Sequence, residues 1–245
     1  MKHIKIIEDN LDVSSICEEV VITNSINWKR NHDLVKSGKI HCEPTRSAHE
    51  KDIFLVSGSY KIGKPEEEHS YEDWDRLSQI YDSPLVEFRK TELFQDYPLL
   101  LERLSSKFPC LKTELVRIII TKLYPGDKVQ KHYDFGRKYR KNRFHFSIQG
   151  TYKYYVADEE VTITPGTLFW FDNKQLHWAE NIGDDDRISV IFDIDPNHCK
   201  DLNLPLNHYR YVDNVETGGI YFSKNIDGNQ NLYLHEKQIV LDINS

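Results

Sequence analysis

From Leu115 to Asp195 the chain is a succession of short β-rich runs divided by turn residues: VRIIITKLY, PGDK, VQKHYDFG, RFHFSIQ, TYKYYVA, VTI, TPGTLFWF and RISVIFDI. β-branched and aromatic residues fill the runs, and none has the length or 3.6-residue period of a helix. Runs this short, this closely spaced, bury their apolar sides by pairing antiparallel into a sandwich or barrel of the jelly-roll kind. The flanks are mixed. His3 to Ile7 and Asp52 to Val56 read as strands, Val13 to Val21 and Leu93 to Lys107 as helices, the latter ended by Pro109. The tail reads as a hairpin, Gly219 to Ser223 with Asn231 to His235 around NIDGNQ, and a last strand from Gln238 to Ile243.

No repeat or linker-like tract divides the 245 residues, so a single domain is expected: a mixed part with helices over 1–110, a β core over 111–200, and the hairpin and strand over 201–245. The fold class expected is α+β. Lys and Arg total 32 against 39 Asp and Glu, a net charge of −7, which argues against a general binder of nucleic acid or anionic membrane. MKHIKIIEDN has no apolar run suited to a signal peptide, and no segment is long enough to span a bilayer, so the expectation is a cytoplasmic protein. Cys17, Cys42, Cys110 and Cys199 are widely spaced and form no CxxC pair; reduced, mostly buried thiols are expected rather than a zinc cluster or disulfide scaffold.

The chemistry concentrates in the β core. In KHYDFG, His132 and Asp134 stand two apart, so on a strand both side chains leave the same face, as two ligands of one ion must. His177, in DNKQLHWAEN after the strand TLFWF, is the candidate third ligand. Two imidazoles and one carboxylate on one face of an octahedral ion leave positions open for substrates, the arrangement of non-haem iron(II) oxygenases. Arg187 and Ser189 share a face of RISVIF, and a guanidinium fork beside a hydroxyl suits a carboxylate held in one orientation. A hydrolytic zinc site has no need of that anchor, whereas an oxygenase consuming 2-oxoglutarate does. On RFHFSIQ, Arg143, His145 and Ser147 alternate with Phe144, Phe146 and Ile148, so one face is polar; buried there, Arg143 and His145 need anionic partners.

The order HxD, RxH, distal His and Arg between Leu115 and Asp195 resembles the aspartyl/asparaginyl β-hydroxylase-like members of the iron(II)/2-oxoglutarate dioxygenases. The resemblance implies a double-stranded β-helix, a cupin-like jelly roll with flanking helices. It also implies Fe(II) on His132, Asp134 and His177, with 2-oxoglutarate and O2 as co-substrates. Arg187 would take the far carboxylate of 2-oxoglutarate, with Ser189 completing an RxS pattern, and Arg143 and His145 the near carboxylate or the substrate. The activity implied is hydroxylation of an amino acid, a peptidyl side chain or a small metabolite, with release of succinate and carbon dioxide. Asp134 makes the chain look more like the small bacterial and viral relatives and the free-proline hydroxylases than the animal enzyme that names the family.

Plainer readings stand beside these. An HxD pair can be an exposed strand edge, His145 a core histidine, and Asp172 and Asn181 either supports for His177 or turn formers. Phe169, Trp170 and Phe171 read as core. The run from Arg137 to Arg143 is a solvated basic face or the rim of a pocket for an anionic substrate. For the whole protein the rivals are a cupin-like binding module without turnover and a zinc-dependent hydrolase or isomerase on a β-barrel.

Overall fold

The structure, a computed structural model, describes residues 2–37, 52–60, 86–132, 142–173, 175–204, 220–224, 230–234 and 237–238. Its centre is eight strands in two antiparallel sets. β4 (Ile118–Leu123), β6 (Asn142–Gln149), β9 (Leu168–Phe171) and β11 (Arg187–Ile194) lie in one sheet in the order β9-β6-β11-β4. β5 (Lys128–His132), β7 (Tyr152–Val156), β8 (Glu159–Ile163) and β10 (His177–Asn181) form the other, in the order β5-β10-β7-β8. Apart from the β7–β8 hairpin, successive strands cross between the sheets, which is the double-stranded β-helix, and the fold is α+β as the sequence implies. The first sheet is widened by β1 (Ile4–Glu8) beside β9, and by β2 (Asp52–Tyr60) and β3 (Val86–Lys90) beyond β4.

Alternation along the strands of the large sheet separates two cores. Phe144, Phe146 and Ile148 of β6, with Ile188, Val190, Phe192 and Ile194 of β11, face outward into a cluster shared with Val20, Leu34, Leu100, Leu104 and Phe108. The opposite face closes on the small sheet around Tyr152, Tyr154, Val156, Phe169, Phe171 and Ala179. The first cluster supplies most of the apolar burial, so the barrel interior is left to carry polar groups.

Helix α1 (Ser14–Lys36) starts where expected, with Asp12 accepting from the Ser14 N–H at 3.0 Å and its hydroxyl at 2.7 Å, bonds that lower the Asp12 carboxyl below its ordinary value. It then runs well past Val21. The buried stripe continues as Asn24, Asn27, Asn31 and Leu34, so the periodicity is kept by asparagines that hydropathy does not register. Each has work to do. Asn31 donates to the Asp52 carbonyl at 2.8 Å and accepts from the Phe54 N–H at 3.0 Å, tying β2 where β3 does not reach. Asn24 accepts from the Tyr97 hydroxyl at 2.7 Å, and burial pushes that hydroxyl's ionisation well up.

The expected helix over Leu93 to Lys107 is broken in two. A 3-10 turn covers Phe94–Asp96, and α2 (Pro98–Lys107) begins afresh at Pro98. Proline bars Tyr97 from helical geometry, and Tyr97 sits at φ −124, ψ 56. Strand β2 extends to Tyr60. In the tail β12 (Ile220–Lys224) pairs antiparallel with β13 (Gln230–Leu234), and β14 (Lys237–Gln238) follows; the rest of the last expected strand lies outside the described residues. Cys17 and Cys110 are free, and burial pushes both thiols up; Cys199 is buried, and Cys42 lies outside the described residues. No helix among the described residues is long and apolar enough to cross a membrane.

Gly166 ties the turn before β9 to the N-terminal segment. It has φ +84, donates to the Ser147 carbonyl at 2.9 Å, and accepts from the Leu11 N–H at 3.3 Å. A Cβ there would collide with the backbone of Leu11. Gly166→Ala should therefore destabilise the fold by about 2 kcal/mol or more, through the left-handed backbone and the clash together. Chemical denaturation checks this, and a midpoint within error of the parent would disprove it.

Candidate active site in the barrel

His132 ends β5 and His177 begins β10, directly opposite one another in the register of that pair. His177 follows TLFWF as the sequence implies, but it opens a strand of its own, HWAEN, which propensity conceals because Ala, Glu and Asn are poor strand formers. Between His177 and Ala179 the register slips, so that β5 carries one residue more than its partner. That bulge decides where His132 points. Strict alternation from Val129, which packs into the barrel, would turn Lys131 inward; instead Lys131 lies outside, its Nζ 4.3 Å from the Trp178 ring centre, and His132 faces His177. The two imidazole centres are 4.2 Å apart.

Both rings are oriented alike. The Nδ1 of His132 is 2.7 Å from the Gln130 carbonyl, and that of His177 is 2.8 Å from the Gln175 carbonyl. A carbonyl only accepts, so each Nδ1 carries the proton and each Nε2 keeps the lone pair, the tautomer in which a histidine binds a metal. Asp172 supports this indirectly. Its carbonyl accepts from the Gln175 N–H at 3.0 Å, building the turn whose last carbonyl fixes His177. Asn181 instead shapes the next turn, donating to the carbonyls of Leu123 and Asp185. Asp134 lies outside the described residues, as do Arg137 to Lys141 of the basic run. Among the described residues no group of three or more His, Cys, Asp or Glu converges.

Further down the barrel the polar face of β11 meets that of β6. Arg187 is 1% exposed, with its guanidinium carbon 4.5 Å from the Tyr152 ring centre. Among the described residues its fork has no carboxylate partner, and its Nε has no hydrogen bond. Ser189 Oγ lies 3.4 Å from the Tyr152 hydroxyl, and Ser147, opposite Ser189 in register, has a buried Oγ with no partner. Tyr152 was not singled out in the sequence, although the alternation of TYKYYV puts Tyr152 and Tyr154 on one face. His145 sits between the histidine pair and this cluster, its ring 5.2 Å from those of Tyr154 and Phe169 and 5.1 Å from that of Phe171. Phe171 also touches His177, at 4.9 Å. Phe169 and Phe171 are thus core residues that line the site, while Trp170 belongs to the outer cluster.

Arg143 has the anionic partner that the alternation demanded, and it comes from the protein itself. Its Nε and Nη2 grip the two carboxylate oxygens of Asp193 at 2.7 and 3.0 Å. Arg117, just before β4, reaches the same carboxylate at 3.1 Å. Neither Asp193 nor Arg117 belongs to a motif that marks it out in the sequence. The signal was present, since RISVIFDI sets Arg187, Ser189, Ile191 and Asp193 on one face.

The double-stranded β-helix thus carries two such histidines at one end of its interior and a buried guanidinium further in. The sequence profile of the aspartyl/asparaginyl β-hydroxylase family matches residues 54–196, more than half of the chain, and the chain belongs to that family. No curated protein is similar enough to match. Solved structures with local likeness include KdgF from Halomonas sp., at 18% identity over 32% of this chain and 67% of that one, TM-score 0.28. A double-stranded β-helix protein from Klebsiella pneumoniae is similar at 18% identity over 34% and 70%, TM-score 0.29. A predicted oxalate decarboxylase from Thermotoga maritima is similar at 19% over 38% and 72%, TM-score 0.29.

The unpartnered atoms make a stability prediction. A buried polar group without a partner costs free energy that an apolar replacement recovers. In the protein without ligand, Ser147→Ala should be neutral or stabilising by up to ~1 kcal/mol, and Arg187→Met should not lower the melting temperature. A fall of several degrees in either variant would mean that these groups are already satisfied in the empty barrel.

Proposed function

We propose that this hydroxylase-family protein is an iron(II)- and 2-oxoglutarate-dependent dioxygenase. The observation that carries the reading is Arg187, a guanidinium sealed in the barrel with no carboxylate of its own among the described residues. A charge kept in such a place calls for an anion from outside, and a planar fork flanked by Ser189, Ser147 and the Tyr152 hydroxyl suits a carboxylate. At the other end of the same interior, His132 and His177 present two Nε2 lone pairs. A dicarboxylic keto acid, chelating an ion at one end and gripped at the other, fits both requirements.

His132, His177 and Asp134 would hold the iron, which when bound supplies activation of dioxygen and of an unreactive C–H bond. The chain's own residues do the rest. The backbone carbonyls of Gln130 and Gln175 hold each imidazole in its binding tautomer. Arg187 fixes the distance and orientation of the co-substrate, Ser147, Ser189 and Tyr152 supply hydrogen-bonding hydroxyls around its far carboxylate, and Phe169, Phe171 and Tyr154 exclude water around His145. The hydroxylated substrate is an amino acid, a peptidyl side chain or another small metabolite.

Removing one partner of a buried charge pair costs on the order of 2 to 5 kcal/mol, so Arg187→Ala should weaken 2-oxoglutarate binding at least roughly tenfold. Anaerobic Fe(II) binding should survive in that variant, and His177→Ala should lose it. Calorimetric titration of each component tests the reading, and an unchanged 2-oxoglutarate affinity in Arg187→Ala would overturn it.

A further inference from the structure

Arg117, Asp193 and Arg143 form a row across the large sheet. Asp193 is opposite Arg143, Arg143 is opposite Phe171, and the β4–β11 register, which ends at Ile118 opposite Phe192, brings Arg117 opposite Asp193. Val116 and Ile118 belong to the outer cluster, so Arg117 between them faces the barrel. The row lies at the histidine end, because Phe171 touches the His177 ring. It stands four residues along β6 from Ser147, roughly 13 Å at about 3.3 Å per residue, so it is separate from the Arg187 cluster.

The two arginines are not equivalent. Arg143 uses both oxygens of Asp193 in a fork. Arg117 comes second to an oxygen already taken: its Nη2 is 3.1 Å from Oδ2, yet neither Nη2 nor Nε makes a hydrogen bond, and both are buried. A merely structural tie would align the fork with the carboxylate it was meant to hold. Here the one carboxylate of Asp193 is shared by two guanidinium groups, and the Nε and Nη2 donors of Arg117 remain to be satisfied.

We propose that Arg117, steadied by Asp193, binds a carboxylate of the primary substrate beside the histidine pair, so that the substrate is a carboxylate-bearing molecule. This rests on the dioxygenase reading for which molecule is hydroxylated, but not for the anion site itself. The carboxylate belongs either to a free amino acid or to an acidic side chain, and the two sources are separable.

The test is calorimetric titration of the full-length protein, wild type, Arg117→Met and Arg117→Lys. The probes are free amino acids, the same amino acids as C-terminal amides, N-acetylated and C-amidated aspartate and glutamate, inorganic phosphate, and 2-oxoglutarate. At least one carboxylate should bind the wild type, with its amide weaker by roughly tenfold or more. Arg117→Met should lose that binding by a similar factor and Arg117→Lys recover part of it, while 2-oxoglutarate affinity stays unchanged in both. Binding by the free amino acids assigns the first source, and binding by the blocked acidic residues the second. Without ligand, Arg117→Met should melt no lower than the parent.

The proposal is overturned if no carboxylate prefers wild type to Arg117→Met, if acid and amide bind alike, or if phosphate binds more tightly than every carboxylate. A drop in melting temperature of Arg117→Met, with carboxylate binding unchanged in Arg117→Lys, would make Arg117 a structural tie. Should Arg117→Met not fold, Arg117→Lys and the acid–amide comparison on wild type still decide. If 2-oxoglutarate fails to bind the wild type while a carboxylate binds through Arg117, the dioxygenase reading falls and the anion site stands.

Discussion

Strand β11 is buried along its whole length, so every polar side chain it turns into the barrel must find its partner there. Three of its four inward positions are polar: Arg187, Ser189 and Asp193. Asp193 is satisfied across the sheet by Arg143, and Ser189 lies near the Tyr152 hydroxyl. Arg187 has the flat face of Tyr152 but no anion among the described residues. The character of the interior follows from that one strand, since it sets an aspartate gripped by arginines from its neighbours at one end and an arginine without a carboxylate at the other, with His145 and its aromatic surround between.

A polar interior of this kind is tolerable because the fold does not depend on it for apolar burial. The outer face of the large sheet packs against α1, α2 and the segment around Phe108, and Phe108 meets both Phe144 and Phe192 ring to ring at 4.8 and 5.4 Å. Stability is concentrated in that layer and chemistry in the other, on the two faces of the same strands. Alternation at a period of two keeps them apart: each residue of β6 or β11 serves one or the other.

The β core was legible in the sequence because its runs are bounded by turns and rich in β-branched and aromatic residues. So were the polar faces of RFHFSIQ and RISVIF, each a matter of parity alone. What escaped were features set by tertiary contact. The length of α1 was hidden by Asn24, Asn27 and Asn31, whose burial is justified by partners on β2 and at Tyr97 that no local pattern announces. The strand of His177 was hidden by weak propensity, made good by pairing on both sides with β5 and β7. The bulge in β5 was invisible too, although without it the parity of the strand would carry His132 to the outside.

That bulge also bears on how the two histidines come to be equivalent. They arrive by different routes, one from the end of a strand and one from the start of its neighbour, and they meet as a cross-strand pair. Each then uses the same device, an Nδ1–H donated to a carbonyl two residues earlier. Because that bond is to backbone, it orients the ring without an acidic partner on Nδ1. The protein thus sets two alike imidazoles at one end of an interior whose fixed charges, Arg117, Arg143 and Arg187 against Asp193, sum to positive among the described residues. Such an interior carries its positive charge at two separated guanidinium sites, one at each end of β11.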